Sequence, residues 1–225
     1  MSFPSDDFQN QFKFGSAYDL AQKIGESGIT KLLKVICDAY VILSNNNIIQ
    51  SGMTEDEITE ELFTQGQCVL QKSSIPTTLV LVNQKIDRTL AKNKGRLPAI
   101  DFCFRDRWVK ETFFGFECKL LAEGNGTLSR EYVDEGLCRY LEGKYSSFGS
   151  SGSMIGYVKT GNLAPIIQDV KRRVDEKEAI SPMTLALAIG SVKEHYVSIH
   201  SRERGLTNFS IHHLFFKFAM QMTNN

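Results

Sequence analysis

The pattern of apolar and polar positions predicts a chain that mixes helices with strands. Apolar residues recur at helical spacing over 17–24, 30–43, 54–71, 129–142 and 163–176. A further helix is expected from Pro182 to about Glu194. Strand composition is found over 77–82, 153–159, 195–202 and 209–218, while 84–92 fits either a helix or a turn. The expected fold class is therefore α/β.

Helix start signals support three of these assignments. Thr54 and Glu57 have the spacing of a capping box. Ser129 and Asn162 are expected to cap the next two helices, and Pro165 is tolerated in the first turn of the second.

Residues 97–121 are the most informative stretch, because they read as two strands joined by a polar turn. Side chains alternate between the two faces of a strand, so Glu117 and Lys119 share one face. The opposite face is apolar and carries Phe116, Cys118 and Leu120. The second strand therefore presents one acid and one lysine together.

The first strand of this hairpin has the same character. Ile100, Phe102 and Phe104 are expected to share its apolar face, and Asp101 points the other way. A hairpin centred on Val109 sets Asp101 directly opposite Glu117. Opposed side chains lie about 4.5–5.5 Å apart at Cβ. The spacing thus predicts two neighbouring carboxylates with a lysine beside them.

Two carboxylates at this distance repel each other unless a cation or a shared proton intervenes. Mg²⁺ prefers carboxylate oxygens and keeps several of its waters, so it suits this pair, with Lys119 next to such a water or a bound phosphate. The alternative is that the three charges lie on the exposed face of an amphipathic hairpin. The run FFGFECKLL is too apolar for an ordinary exposed strand, and buried charges are costly unless they are paired or metal-bound.

An Asp on one strand followed by Glu-x-Lys on the next resembles the PD-(D/E)xK, or restriction endonuclease-like, nuclease superfamily. The resemblance covers roughly residues 55–170, with Ile100 standing before the Asp where the family name has a proline. It implies that Asp101, Glu117 and Lys119 are catalytic and that Asp101 and Glu117 bind Mg²⁺ or Mn²⁺. It also implies an acid on the preceding helix, for which Glu61 is the candidate metal ligand; the alternative is a solvated helix charge.

The same resemblance implies the architecture: a central mixed sheet flanked by helices, built from a helix, a three-stranded meander, a helix and a further strand. We expect one domain over 1–225. It divides into a helical N-terminal extension over 1–50, a nuclease-like core over 54–176, and a C-terminal helix and strands over 182–225. The last two strands form a hairpin that extends the sheet or covers it.

Composition adds few constraints. Lys plus Arg equals Asp plus Glu, at 26 each, so nucleic-acid binding would need a local basic patch. The five cysteines form no CxxC pair and favour buried thiols in a reducing cytoplasm over disulfides or zinc. The N-terminus has no secretory pattern and no apolar run would span a membrane, so a cytoplasmic location is expected.

Candidate substrate-binding residues lie outside the hairpin. Lys171 and Arg172 sit on the outer side of a predicted helix and would suit a phosphate backbone, although such runs are mostly solvated faces. His200 and Arg202 would face substrate from a C-terminal strand. A structural histidine is the alternative for His200, and the histidine spacings do not match a zinc set.

The sequence favours two functions and disfavours a third. The first is a Mg²⁺-dependent endonuclease that hydrolyses DNA, with RNA less favoured, as an effector of prokaryotic anti-phage defence. The second is a non-catalytic nucleic-acid-binding or assembly subunit on the same fold, forming a homo-oligomer or working with an ATPase or helicase partner; this rests on analogy of fold. A serine nucleophile is disfavoured because no GxSxG elbow occurs.

Overall fold

The computed structural model describes residues 28–86, 99–108, 113–145, 149–177, 179–202 and 206–218. The helix predicted over 17–24 and most of the ambiguous segment 84–92 lie outside these ranges. Within them the chain is α/β, as predicted, with a seven-stranded mixed sheet.

Two helices precede the sheet, α1 (Gly28–Asn45) and α2 (Glu55–Lys72). The strands are β1 (Leu79–Ile86), β2 (Ala99–Asp106), β3 (Phe113–Ala122), β4 (Ser151–Thr160), β5 (Ala179–Leu185), β6 (His195–His200) and β7 (Phe209–Lys217). Between β3 and β4 lie α3 (Gly126–Glu131), a π-helical segment (Tyr132–Leu137) and α4 (Cys138–Leu141). Helix α5 (Leu163–Asp175) follows β4.

The strand order is β1-β2-β3-β4-β7-β6-β5. Strands β1, β2 and β3 form an antiparallel meander, whereas β4 is parallel to both β3 and β7. The C-terminal pair β6 and β7 is antiparallel and extends the sheet, which is one of the two arrangements predicted for it.

Each face of the sheet packs against its own hydrophobic core. One core joins α1 and α2 to alternate residues of the central strands, including Phe102, Phe116 and Tyr157. The other joins the π-helical segment and α5 to the opposite face, including Met154 and Phe215. The central strands are therefore covered on both sides, as their near-continuous apolar sequence predicts.

The start of α2 confirms the predicted capping box. The Thr54 hydroxyl accepts from the Glu57 amide at 3.3 Å, and the Glu57 carboxylate accepts from the Thr54 amide at 2.7 Å. This reciprocal pair satisfies two backbone donors that the first helical turn would otherwise leave open. It also fixes the direction of the turn that contains Glu55.

The cap predicted at Ser129 is wrong. Helix α3 begins three residues earlier, and the Asn125 side chain accepts from the amides of Thr127 and Leu128. Ser129 is buried inside the helix instead. Asn caps as well as Ser does, so the two signals competed at this start.

The helix predicted from Pro182 is also wrong, because residues 179–185 form the edge strand β5. Its pairing with β6 is irregular on both sides of Ser181, and proline is tolerated at an edge strand or bulge. The backbone of Met183 is held by α5: its amide donates to Asp175 at 2.6 Å and its carbonyl accepts from Lys171. Tertiary contacts thus override the helical preference of the segment.

Ile100 does not share a face with Phe102, contrary to the prediction. It belongs to the core on the opposite face and lies against Gly115, where an added Cβ would come within 2.1 Å of its Cδ1. Ile100 lies beyond the end of the pairing between β2 and β3, which stops at Phe102 and Phe116.

No helix in the described ranges is both long and apolar enough to cross a membrane.

Candidate active site

The register of the central hairpin is the one that the sequence predicts. Phe102 pairs with Phe116, so the next positions outward are Asp101 and Glu117. Beyond this pair the two strands no longer form ladder bonds. Instead, Asp101 Oδ2 accepts a hydrogen bond from the Cys118 amide at 2.7 Å. The side chain of Asp101 therefore reaches the backbone between Glu117 and Lys119.

Glu117 is the most buried acid of the site, with 1% of its surface exposed. Its Oε1 lies 3.2 Å from Lys119 Nζ and accepts from Arg139 Nη1 at 3.0 Å. Its Oε2 is buried and has no hydrogen-bond partner among the described residues. A buried carboxylate oxygen without a partner is costly, so this atom marks a place for a proton or a cation.

Lys119 lies on the same face as Glu117, as predicted, and its ammonium group is enclosed by acceptors. Nζ donates to Glu55 Oε1 at 2.9 Å and to the Cys118 carbonyl at 2.8 Å, and it forms the ion pair with Glu117. An ammonium group has three donors, so all three are engaged. Lys119 thus joins the hairpin to α2.

Glu55 was missed by the sequence reasoning. It lies in the first turn of α2, where an acid is ordinarily explained by the helix dipole alone. Its second oxygen accepts from the Leu120 amide at 2.8 Å, so both oxygens are bound to β3. The capping box beside it was the available signal, since it fixes which residues face the sheet.

Glu61 was the predicted acid of this helix. It lies six residues beyond Glu55, which is about 9 Å along the axis and roughly 120° around it. In the described part of the chain Glu61 makes no hydrogen bond or ion pair with Asp101, Glu117 or Lys119. The acid that α2 brings to this cluster is Glu55.

Arg139 is the second residue that the sequence reasoning missed. It lies in α4, directly after the π-helical segment, and Nη1 donates both to Glu117 and to the Tyr145 hydroxyl at 2.9 Å. Tyr145 donates in turn to the Ala99 carbonyl at 3.1 Å. The π-helical segment approaches β4 closely because Gly136 has no side chain: an added Cβ would lie 2.3 Å from Met154 Cε, and 3.6 Å from Glu117 Cγ.

Burial sets the protonation of the two acids. It raises the pKa of Asp101 to about 6, against the opposing charge of Lys119. Burial, reinforced by the charge of Asp101, raises the pKa of Glu117 to about 7. Burial alone would lower the pKa of Lys119, but the charges of Glu117, Glu55 and Asp101 raise it above its ordinary value. Lys119 therefore stays protonated while the acids exchange protons near neutral pH.

The donor set fits a hard divalent ion in one respect and is incomplete in another. Two carboxylates, one of which has an unpartnered oxygen, suit Mg²⁺. This ion is commonly held by one or two carboxylates together with waters and phosphates. Within the described ranges, however, no group of three or more His, Cys, Asp or Glu side chains could hold a metal ion. Asp101 and Glu117 would thus be the only protein ligands that the described site offers.

Comparisons with protein-family models, with curated proteins and with solved structures find no match for this chain. The function is therefore argued from the cluster formed by Glu55, Asp101, Glu117, Lys119 and Arg139, hereafter the acidic cluster.

Lys171 and Arg172, the predicted phosphate contacts, are paired with acids of their own helix. Lys171 bonds to Asp175 at 2.9 Å. Arg172 bonds to Asp169 at 2.8 Å and to Glu176 at 3.0 Å. These bonds neutralise the basic run.

His200 and Arg202 lie in buried surroundings away from solvent. His200 bonds to the Lys177 carbonyl at 2.7 Å and to the Ser198 hydroxyl at 2.7 Å. Burial lowers the pKa of His200. Arg202 donates to the Gly149 carbonyl at 2.9 Å, with its guanidinium 4.8 Å from the centre of the Phe209 ring. Both contacts fasten the last strands to the rest of the chain.

Proposed function

We propose that the protein is a metal-dependent nuclease that hydrolyses phosphodiester bonds in DNA, with Asp101, Glu117 and Lys119 at its active centre. The observation that carries the proposal is the buried, unpartnered Oε2 of Glu117, together with a second, half-buried acid, Asp101, whose charge acts on Glu117. A purely structural ion pair would be expected to satisfy both oxygens of so deeply buried a carboxylate.

The charge of the acidic cluster supports the same conclusion. With all groups ionised, Glu55, Asp101 and Glu117 outweigh Lys119 and Arg139 by one negative charge. Burial is the main cause of the raised pKa values of Asp101 and Glu117, and the neighbouring acids add to it, so a proton offsets part of this excess. A divalent cation would remove it more completely, and its binding would release that proton.

Each residue has a distinct part in the proposed reaction. Asp101 and Glu117 would hold Mg²⁺, which when bound lowers the pKa of a coordinated water and stabilises negative charge on a phosphate. Lys119 remains protonated, so it acts through its charge and its hydrogen bonds and not as a base. The tight packing around Glu117 keeps bulk water from competing for the acids.

The order of elements adds support at the level of the fold. Helix α2, the meander β1-β2-β3, a helical connection and the parallel strand β4 follow the sequence expected of a restriction endonuclease-like core. Since a fold can carry many functions, this agreement strengthens the proposal only together with the site.

Nicking of supercoiled plasmid tests the proposal. We expect the wild-type protein to nick in Mg²⁺ or Mn²⁺ and not in EDTA. Glu117→Gln and Lys119→Met should each lose at least about 100-fold in rate, since each removes charge from the reacting centre. Glu176→Gln, at an exposed acid of the α5 cap, is the matched control and should nick at the wild-type rate. Full activity in both cluster variants would refute the assignment.

A second candidate, a non-catalytic subunit on the same fold, is favoured by one observation. Glu117 Oε1 is already bound by two cations, Lys119 and Arg139, and Lys119 is also bound by Glu55. A buried ion-pair network of this kind can serve to specify a structure. The two candidates differ in metal binding: a structural network should bind no Mn²⁺ in calorimetry, whereas the nuclease should bind it through Glu117.

A further inference from the structure

We infer that Arg139 is the residue of the site that binds a substrate phosphate, with Tyr145 as its positioning residue. This inference rests on the proposed function for its substrate class, nucleic acid. Arg139 then makes the phosphate contact that Lys119 would otherwise be expected to make.

Lys119 has no hydrogen-bond donor to spare. Its three N–H groups face Glu55, the Cys118 carbonyl and Glu117, and only 11% of its side chain is exposed. A new bond from Lys119 to a phosphate would break one of these three. Breaking the pair with Glu117 or Glu55 would leave a carboxylate uncompensated next to an incoming anion, which electrostatics disfavours.

Arg139, by contrast, has hydrogen-bond donors to spare. Both of its observed hydrogen bonds use Nη1, which binds Glu117 and Tyr145. Among the described residues, Nε and Nη2 make no hydrogen bond. A guanidinium carries five N–H donors, so at least one edge of the fork remains for a ligand. The Arg139 side chain is 30% exposed, against 1% for Glu117, so solvent reaches part of this side chain.

The Arg139 guanidinium is held in place before any ligand arrives. Its carbon lies 5.8 Å from the centre of the Tyr145 ring, and the Tyr145 hydroxyl is itself fixed to the Ala99 carbonyl. Ala99 is two residues before Asp101 in β2, while Glu117 is in β3. Arg139 is therefore fixed to both strands that carry the acids, to β3 through Glu117 and to β2 through Tyr145 and Ala99, so a phosphate on its open edge would be held by a group that is already in place.

The chemistry of arginine suits this role. Its planar fork binds two oxygens of one phosphate, and it keeps its charge at any pH in which the protein is folded. The basic groups of α5 are bound to acids of their own helix and not to the acidic cluster: Lys171 to Asp175, and Arg172 and Arg173 to Asp169.

Binding of a short fluorescein-labelled DNA duplex, measured by anisotropy over a range of salt concentrations, tests the inference. Ca²⁺ replaces Mg²⁺ so that the DNA stays intact, and the series is repeated in EDTA. Arg139→Gln should weaken binding about tenfold and lower the slope of log affinity against log salt by about 0.9, the value for one phosphate contact. Arg130→Gln is the matched control, because it removes an exposed arginine of α3 that makes no hydrogen bond to the acidic cluster in the described part of the chain, and it should change neither.

Two further variants separate a phosphate contact from a structural role. Arg139→Lys keeps the charge and should restore the salt slope but not the full affinity, since the fork is lost. Tyr145→Phe keeps the ring and removes the positioning hydroxyl, so it should weaken binding with an unchanged salt slope. Wild-type affinity and slope in Arg139→Gln would overturn the inference, as would an equal loss in Arg130→Gln.

The results also distinguish this inference from the nuclease proposal. If the wild-type protein binds DNA through Arg139 but never nicks plasmid, the phosphate contact stands and the nuclease fails. If it nicks plasmid and Arg139→Gln binds and nicks as well as wild type, the nuclease stands and the contact fails. Absence of duplex binding by the wild-type protein overturns the contact outright.

Discussion

The carboxylate of Asp101 accepts a hydrogen bond from the backbone amide of Cys118 at 2.7 Å. Cys118 stands between Glu117 and Lys119, and the ladder between β2 and β3 ends one residue pair away. Asp101 thus has two tasks: it satisfies a buried backbone donor where the strands part, and it supplies one of the three acids of the acidic cluster.

These two tasks can be separated by substitution. Asp101→Asn keeps an oxygen that can accept from Cys118, and it removes an acid whose raised pKa makes its ionised form costly at pH 7, so we expect it to be at least as stable as wild type. Asp101→Ala leaves the amide without a partner and should cost about 1–3 kcal/mol. Both should lose plasmid nicking, because both remove the charge. Urea unfolding at pH 7 measures the difference, and equal stability of the two variants would contradict it.

Glu117 predicts an unusual dependence of stability on pH. Its pKa is raised from 4.5 to about 7 in the folded chain, so between these values the folded state binds more protons than the unfolded state. Stability from this group is therefore greatest below the unfolded pKa and falls as pH rises towards 7.

Glu117→Gln should remove that loss. Relative to wild type, the variant should gain about 2–3 kcal/mol of stability between pH 5 and pH 8 in the absence of divalent ions. Urea unfolding at the two pH values gives the comparison, with Glu176→Gln as the control that should show no such gain. A constant difference between Glu117→Gln and wild type would mean that Glu117 ionises normally.

Glu55 should stabilise the join between α2 and β3. Glu55→Gln weakens its bonds to Lys119 and to the Leu120 amide, and we expect a loss of about 1–2 kcal/mol. Glu60→Gln is the matched control, since Glu60 is an exposed acid of the same helix, and it should change stability by less than about 0.5 kcal/mol. Thermal unfolding of the two variants at one pH decides between them, and equal losses would show that Glu55 has no special role.

Gly152 should not tolerate a side chain, because β4 passes close to the rings of Phe209 and of Tyr140, the residue that follows Arg139. An added Cβ would lie 2.7 Å from Cε1 of Tyr140 and 3.3 Å from Cε1 of Phe209. Rigid rings cannot move aside easily, so Gly152→Ala should cost about 1–3 kcal/mol. Gly52→Ala is the control, since no atom lies within 4 Å of its added Cβ. It should be neutral or slightly stabilising, and a similar cost at both positions would contradict this packing.

The hairpin was predictable because strand alternation and register are local properties. The spacing of Asp101 and Glu117 set them opposite each other once the strands were recognised, and the structure has that register. The capping box at Thr54 was predictable for the same reason, since its two partners are three residues apart.

The remaining parts of the site depend on contacts between distant segments. Glu55 is 64 residues from Lys119, and Arg139 is 22 residues from Glu117. The capping box fixes the start of α2 but does not say which strand Glu55 meets, and nothing in the local sequence distinguishes Arg139 from an ordinary helix charge. The edge strand β5 was missed for a related reason, because Asp175 and Lys171 hold the Met183 backbone from another element.

The central claim is that Asp101 and Glu117 together hold a divalent ion. Crystals of the protein soaked in Mn²⁺ test it most directly, by anomalous difference density. We predict a peak about 2.0–2.3 Å from Glu117 Oε2 and from an oxygen of Asp101, absent from Glu117→Gln crystals. No peak at these oxygens in the wild-type protein, or an undiminished peak in the variant, would contradict the account.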